Sequence, residues 1–179
     1  SNMLIVTNPL NGAITRNNGY IISETDFTAG YGIVQWNLGS STWNYIYPFG
    51  IVGGTYIPFI CNITTAGVQS TTGNLSVATY PTNVTVSPNN LPYPSGVSNL
   101  NDASGNDVSV ICLDRFWITT PNNYTTPPTA DASFYYAEPE WNNSGGSTNT
   151  IVEDSLMAWR WSGTQWLNPS MGTDNPAAN

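Results

Sequence analysis

The 179-residue sequence contains no histidine and no lysine, and its three basic residues are all arginine: Arg16, Arg115 and Arg160. Without an imidazole there is no Ser-His-Asp or Cys-His nucleophile system and no His-containing metal site. Without a lysine amine there is no Schiff-base chemistry and no isopeptide bond from Lys. Charged residues make up only 8% of the chain, against about a quarter in an average soluble domain. Eleven acids against three bases leave a net charge of -8. Phosphate binding depends on clustered Lys and Arg that displace counterions, so nucleic acid and anionic membranes are poor partners. No apolar run is long enough to cross a bilayer as a helix. Ser1-Asn2-Met3 has neither the charged nor the apolar part of a signal peptide. The chain is therefore expected to be a segment of a larger protein whose export signals lie outside it. Two cysteines, Cys61 and Cys112, are too few for a disulfide scaffold. Each sits in an apolar run, and a buried pair of thiols and a single disulfide both remain open.

What is present is apolar and aromatic: 40% and 12% of residues respectively, with seven Trp and ten Tyr. Disordered chains combine few aromatics with high charge, so this composition points to a folded chain with a neutral polar surface. The length suits a single domain spanning residues 1–179 that buries roughly 70% of its unfolded surface. The pattern along it is that of strands. Val34, Trp36 and Leu38 alternate with Gln35 and Asn37, and Ile57, Phe59, Cys61 and Ile63 share one parity. Pro58 on the other parity suggests an edge position or a bulge. Further strands are expected at 3–7, 20–23, 45–48, 75–80, 108–119 and 131–137, the fifth as a central strand covered on both sides. No helix is expected. The fold class is thus all-β, an antiparallel β-sandwich.

The opening segment LIVTNPLNGAITRNNGYIIS has very short strands spaced by Asn-rich turns. Residues 1–25 are read either as the sandwich's first hairpin, which is favoured, or as a short β-solenoid-like junction leading into it. Residues 81–107 form a long stretch without a clear strand. Val84, Val86, Leu91, Tyr93, Val97 and Leu100 recur in it and are expected to pin it as a compact excursion. In LMAWRWSGTQWLN, a two-residue turn at Ser162-Gly163 would set Trp159 opposite Trp166, in a closing hairpin whose tryptophans pack inward.

Candidate chemistry is sparse. Glu138 with Glu140, and Glu153 with Asp154, are the paired carboxylates, and a glycosidase needs two such groups facing across a cleft. Solvated loop acids are the expected reading. Asp102, Ser104, Asn106 and Asp107 around Gly105 resemble a calcium loop but lack the full spacing and the terminal Glu. An Asx-type turn is preferred there, with calcium as the alternative cofactor. Asp114-Arg115 beside Phe116 and Trp117 is read as a buried ion pair that fixes strand register. Exposed rings on a neutral sandwich would serve carbohydrate binding, since flat rings stack on sugar faces while amides bond hydroxyls. Trp43 and Trp141 lie beside turns, and with Tyr93 from the long loop they are the ligand-binding candidates.

The ordered motifs RNNGYIISE, YGIVQWNLGSSTWNYIYPFGIVGGTYIPF, LSVATYPTNVTVSPNN, DRFWITTPNNYTTPPTADASFYYAEPEW and LMAWRWSGTQW together resemble a module of large secreted surface proteins of gliding and related Bacteroidetes. Those proteins are exported by the type IX secretion route. The resemblance covers residues 13 to about 168. It implies an extracellular or cell-surface location in an adhesin-like protein, with neighbouring domains of the parent protein as partners; surface glycans are a further partner class that the exposed-aromatic reading offers. It brings no catalytic residue with it. The function expected is a non-enzymatic structural or adhesive module, with a carbohydrate-binding module second and a carboxylate-based glycoside hydrolase a distant third.

Overall fold

The computed structural model describes residues 2–26, 30–83, 90–142 and 148–167. Among these the only helical pieces are three-residue 3-10 turns, and none is long and apolar enough to cross a membrane. The fold is all-β. Among the described residues eleven strands run in chain order: β1 (Met3–Val6), β2 (Glu24–Asp26), β3 (Gly30–Tyr31), β4 (Ile33–Trp36), β5 (Asn44–Tyr47), β6 (Phe59–Thr65), β7 (Val68–Pro81), β8 (Arg115–Thr126), β9 (Thr129–Phe134), β10 (Arg160–Trp161) and β11 (Trp166–Leu167). They belong to two compact units, one made of Ser1–Tyr80 with Trp117–Tyr135, the other of Pro81–Phe116 with Tyr136–Asn179.

The first unit is the sandwich. One sheet has the order β1-β4-β7-β8 and the other β5-β6-β9. The period-two sequence pattern decides which face each strand buries. In β4, Val34 and Trp36 are buried; in β5, Tyr45 and Tyr47; in β6, Phe59, Cys61 and Ile63. The residues between them point the other way. Trp36 of the first sheet meets Tyr45 and Tyr47 of the second edge-on, with ring centroids 5.0 and 5.5 Å apart. Leu75 and Val77 of β7 complete this core, and Trp117 and Phe134, 5.4 Å apart, pack against it. Between β7 and β8 the contact is close. A Cβ on Gly73 would lie 2.3 Å from the Tyr124 ring, whose hydroxyl donates to the Gly39 carbonyl at 2.9 Å. Pro58 is neither on an edge strand nor in a bulge. It stands one residue ahead of the central strand β6, where its missing N–H interrupts no ladder.

The opening residues pair in an unusual way. β1 runs parallel to β4, with Met3 opposite Ile33 at an offset of 30 residues. Further along, Ile21 bridges Phe49, again in parallel, at an offset of 28. Parallel stacking at a near-constant offset is the pairing of a solenoid rung rather than of a hairpin. Residues 3–21 thus make one turn of a short coil, and residues 33–49 make the next. The core holds the first turn at its corner, because Trp36 Nε1 donates to the Asn8 carbonyl at 2.9 Å and the Tyr45 hydroxyl to the Pro9 carbonyl at 2.7 Å.

The second unit has little regular structure. Residues 109–111 form a 3-10 turn with Val110 and Ile111 exposed, so the expected strand at 108–119 begins only at Arg115. The long loop is compact where it is described: Asn83 N–H donates to the Leu91 carbonyl, Leu100 is buried, and Tyr93 meets Phe116 edge-on at 6.3 Å. Val84 and Val86 lie outside the described residues. The closing hairpin forms with a register other than the one expected. Trp161, not Trp159, stands opposite Trp166, across a four-residue turn in which the Ser162 hydroxyl takes the Gln165 N–H and donates to the Gln165 carbonyl. The Ser162 N–H also donates to the Gln165 carbonyl at 2.9 Å, so the tight turn is centred on Gly163-Thr164, one residue later than Ser162-Gly163, with Gly163 at a φ of 105°. The Trp161 and Trp166 rings are 5.3 Å apart, while Trp159 is 42% exposed.

Truncating Trp36 to alanine is expected to cost about 3–5 kcal/mol of unfolding free energy, and Trp43→Ala less than about 0.5 kcal/mol. Urea denaturation of both variants checks the contrast, and equal losses would contradict the assignment of Trp36 as the wedge between the sheets.

Candidate functional site

Three charged residues of the second unit, Asp114, Arg115 and Glu140, converge on its interior. The sequence suggested an ion pair between the adjacent Asp114 and Arg115, whereas the ion pair that forms joins Arg115 to Glu140. Arg115 turns to Glu140: its Nε donates to Oε1 at 2.8 Å and its Nη2 lies 2.6 Å from the same oxygen, with both side chains nearly sealed from water. Glu140 belongs to the 3-10 turn Glu138–Glu140, and its second carboxylate oxygen accepts the Ala137 N–H at 2.9 Å, closing that turn. Asp114 is buried too. Its Oδ1 accepts from Asn90 Nδ2 at 3.2 Å and its Oδ2 from Asn149 Nδ2 at 2.9 Å. The same Asn90 amide donates to the Leu113 carbonyl at 2.9 Å, and Asp114 N–H donates to the Glu140 carbonyl at 3.0 Å. The result is a polar knot that joins residue 90, residues 113–115, residues 137–140 and residue 149.

Asn90 and Asn149 were not singled out from sequence. Asn90 has a left-handed backbone, with φ of 67°, a conformation that Asn tolerates better than most residues. The N-N-L-P stretch carries that signal only faintly. Nothing local marks Asn149.

The paired carboxylates do not face one another across a cleft. Glu140 is consumed by Arg115, whereas Glu138 is exposed and its Oε2 accepts from Asn142 Nδ2 at 3.2 Å. They sit on a turn rather than on a shared strand face. Of the second pair, Glu153 Oε1 accepts the Tyr136 hydroxyl at 2.9 Å, and Asp154 is exposed.

At 102–107 the loop closes on its own acid. Asp102 Oδ1 accepts the N–H groups of Ser104 at 2.8 Å and Asn106 at 2.9 Å, and Oδ2 accepts Asn106 Nδ2 at 3.1 Å. This is the Asx-turn bonding expected of such a sequence. The donors around it, the Asn106 amide first, hold the Asp102 carboxyl below its ordinary value of 3.8. Asp107 accepts the Ser109 N–H at 2.9 Å. Among the described residues no three His, Cys, Asp or Glu side chains are grouped to hold a metal.

The aromatic candidates separate. Trp43, in the first unit, is 47% exposed at the start of β5, next to exposed Asn44. Tyr93 and Trp141, in the second, are half-buried, one against Phe116 and the other with its indole nitrogen sealed from solvent. Trp159, read from sequence as packed inward, is instead one of the exposed rings.

Cys61 and Cys112 are free thiols. Desolvation pushes both up to about 11, with Asp131 adding to the effect at Cys61, and Asp107 and Asp114 at Cys112. Such thiols carry little thiolate at neutral pH. No protein-family model, characterised protein or solved structure matches this chain.

Three measurements follow from this geometry. Glu140→Gln removes the carboxylate that pairs with the buried Arg115 and is expected to lower stability by about 3–5 kcal/mol, whereas Glu138→Gln is expected to change it by less than about 0.5 kcal/mol. For Asp102 the folded carboxyl titrates below its unfolded value. Its stabilisation is therefore fully present above 3.8 and is lost as the pH falls through the lowered folded value. Urea midpoints of the wild type and Asp102→Asn should converge on acidification, and a constant gap would refute that linkage. Maleimide labelling at pH 8 is expected to be slow at both cysteines in the folded chain and complete in denaturant, as read by mass.

Proposed function

We propose that the chain is a non-enzymatic structural or adhesive module of a larger extracellular or cell-surface protein. The observation that carries this reading is where three of its few ionisable groups are spent. Arg115, Glu140 and Asp114 are buried together and tie four chain segments to one another. A group held by a buried partner in this way serves cohesion, and it is not available to trade protons with a substrate. The neutral polar composition and the resemblance to secreted Bacteroidetes surface modules support the location, with neighbouring domains of the parent protein as the natural partners. The reading needs no cofactor.

A second reading, as a carbohydrate-binding module, is favoured by the exposed indoles, Trp43 and Trp159, and by Trp43 most directly. A half-exposed indole beside an exposed amide at Asn44 is the pairing that stacks on a sugar face and bonds its hydroxyls.

One experiment separates the readings. The protein is applied to a glycan array alongside Trp43→Ala and is incubated with a panel of polysaccharides and aryl glycosides. The structural reading expects no glycan bound through Trp43 and no turnover. A glycan retained by the wild type and lost in Trp43→Ala would establish the second reading, and hydrolysis abolished by Glu138→Gln would overturn both.

A further inference from the structure

The open edge of β1 is an interaction surface that none of the foregoing uses. We infer that this edge receives a further parallel β-coil of the same polypeptide, uncharged and apolar along its strand, stacked on β1 as β1 is stacked on β4. The inference rests on the reading of the chain as a structural module and names its partner.

Four observations converge on it. First, the Asn2 and Val6 carbonyls accept N–H groups from Ile33 and Asn37. Ladder bonds alternate along a strand, so the even residues of β1 bond to β4 while the N–H and C=O groups of Met3 and Ile5 point away. Among the described residues no strand lies on that side, since β1 ends the sheet order. Second, Met3, Leu4 and Ile5 are 49, 48 and 50% exposed, and Leu10 and Ile22 on the same turn of coil are also exposed. Third, no charged residue occurs before Arg16. Natural edge strands are usually guarded by charges, prolines or bulges, and β1 has none of these. Fourth, a strand that terminates a solenoid presents a polar outer edge, whereas the strand of this turn presents Met3, Leu4 and Ile5.

The direction of winding identifies the occupant. Residues 3–21 stack beneath residues 33–49 at offsets of 30 and 28, so each turn lies on the side of the next that faces the N-terminus. Continued outward from β1, the same winding places residues upstream of Met3 there. A second copy of the chain is a poorer occupant, because two chains of net charge -8 repel one another.

Amide hydrogen exchange tests this on two proteins: the 179-residue chain, and the same chain extended upstream in its gene by about one coil, roughly 30 residues. In the shorter chain the Leu4 and Val6 amides should be protected while those of Met3 and Ile5 exchange freely. In the longer one Met3 and Ile5 should slow by about 100-fold or more. Unchanged fast exchange of Met3 and Ile5 in the longer chain, or a gene with no coding sequence upstream, would overturn the inference. Ile5→Pro deletes only an outward N–H. It is expected to leave the urea midpoint of the 179-residue chain unchanged and to abolish the added protection at Met3 in the extended chain. Concentration-dependent dimers of the 179-residue chain that Ile5→Pro dissolves would assign the edge to a second copy instead. These outcomes are independent of glycan binding and hydrolysis, so the module reading and its partner can fail separately.

Discussion

The indole of Trp36 holds the sandwich together, and much else in the first unit follows from how it is satisfied. Its ring fills the space between the two sheets against Tyr45 and Tyr47. A buried indole or phenol also needs a partner for its polar tip. Trp36 finds Asn8, Tyr45 finds Pro9 and Tyr47 finds the Leu75 carbonyl at 3.0 Å. Two of those three acceptors lie at one corner of the opening coil. The demand of the core aromatics for hydrogen-bond acceptors therefore positions residues 8 and 9, and with them the strand that precedes them.

The second unit solves the same problem with different material. Among the described residues of this unit only Leu100, Phe116 and Ala137 are buried apolar residues, too few to hold long irregular loops by area alone. Cohesion comes from polar groups that satisfy one another: an ion pair, a carboxylate capped by two amides, and backbone groups drawn into the same knot. Such a network is sensitive to the loss of any member, because the group left behind stays buried without its partner. An Asn-rich sequence suits this arrangement. Each side-chain amide supplies donors and an acceptor without a net charge to bury.

The legible part of the fold was whatever depends on side-chain period. Val34, Trp36, Phe59, Cys61 and Ile63 advertise their buried face by alternation, and the sandwich follows from them. Period says nothing about whether neighbouring strands run parallel, so the stacking of β1 on β4 was not decided by LIVT itself. Nor does it fix a register across a turn: Ser162 bonds forward to Gln165, centring the turn one residue later and moving the tryptophan pair from Trp159 to Trp161. At 108–114 apolar residues on both parities suggested a doubly covered strand. Such runs are ambiguous, and here the segment curls into a turn that leaves Val110 and Ile111 in water. At the candidate site the Asx turn was readable because Asp, Ser and Asn bond locally. The partnership of Arg115 with Glu140, 25 residues away, was not, because nothing short-range encodes it.

The scarcity of charge links these features. With fourteen ionisable acids and arginines in 179 residues, charge cannot be the general means of keeping sheet edges apart, and neutral polar side chains must do most of that work. β9 shows how this is done: Thr129, Asp131 and Ser133 line its outer positions on an edge strand. β1 departs from the rule, with Met3, Leu4 and Ile5 on an edge of the same sandwich. The two edges were exposed to the same solvent in the same chain, and only one is dressed for it. A difference of that kind within one molecule is better explained by what each edge meets than by composition.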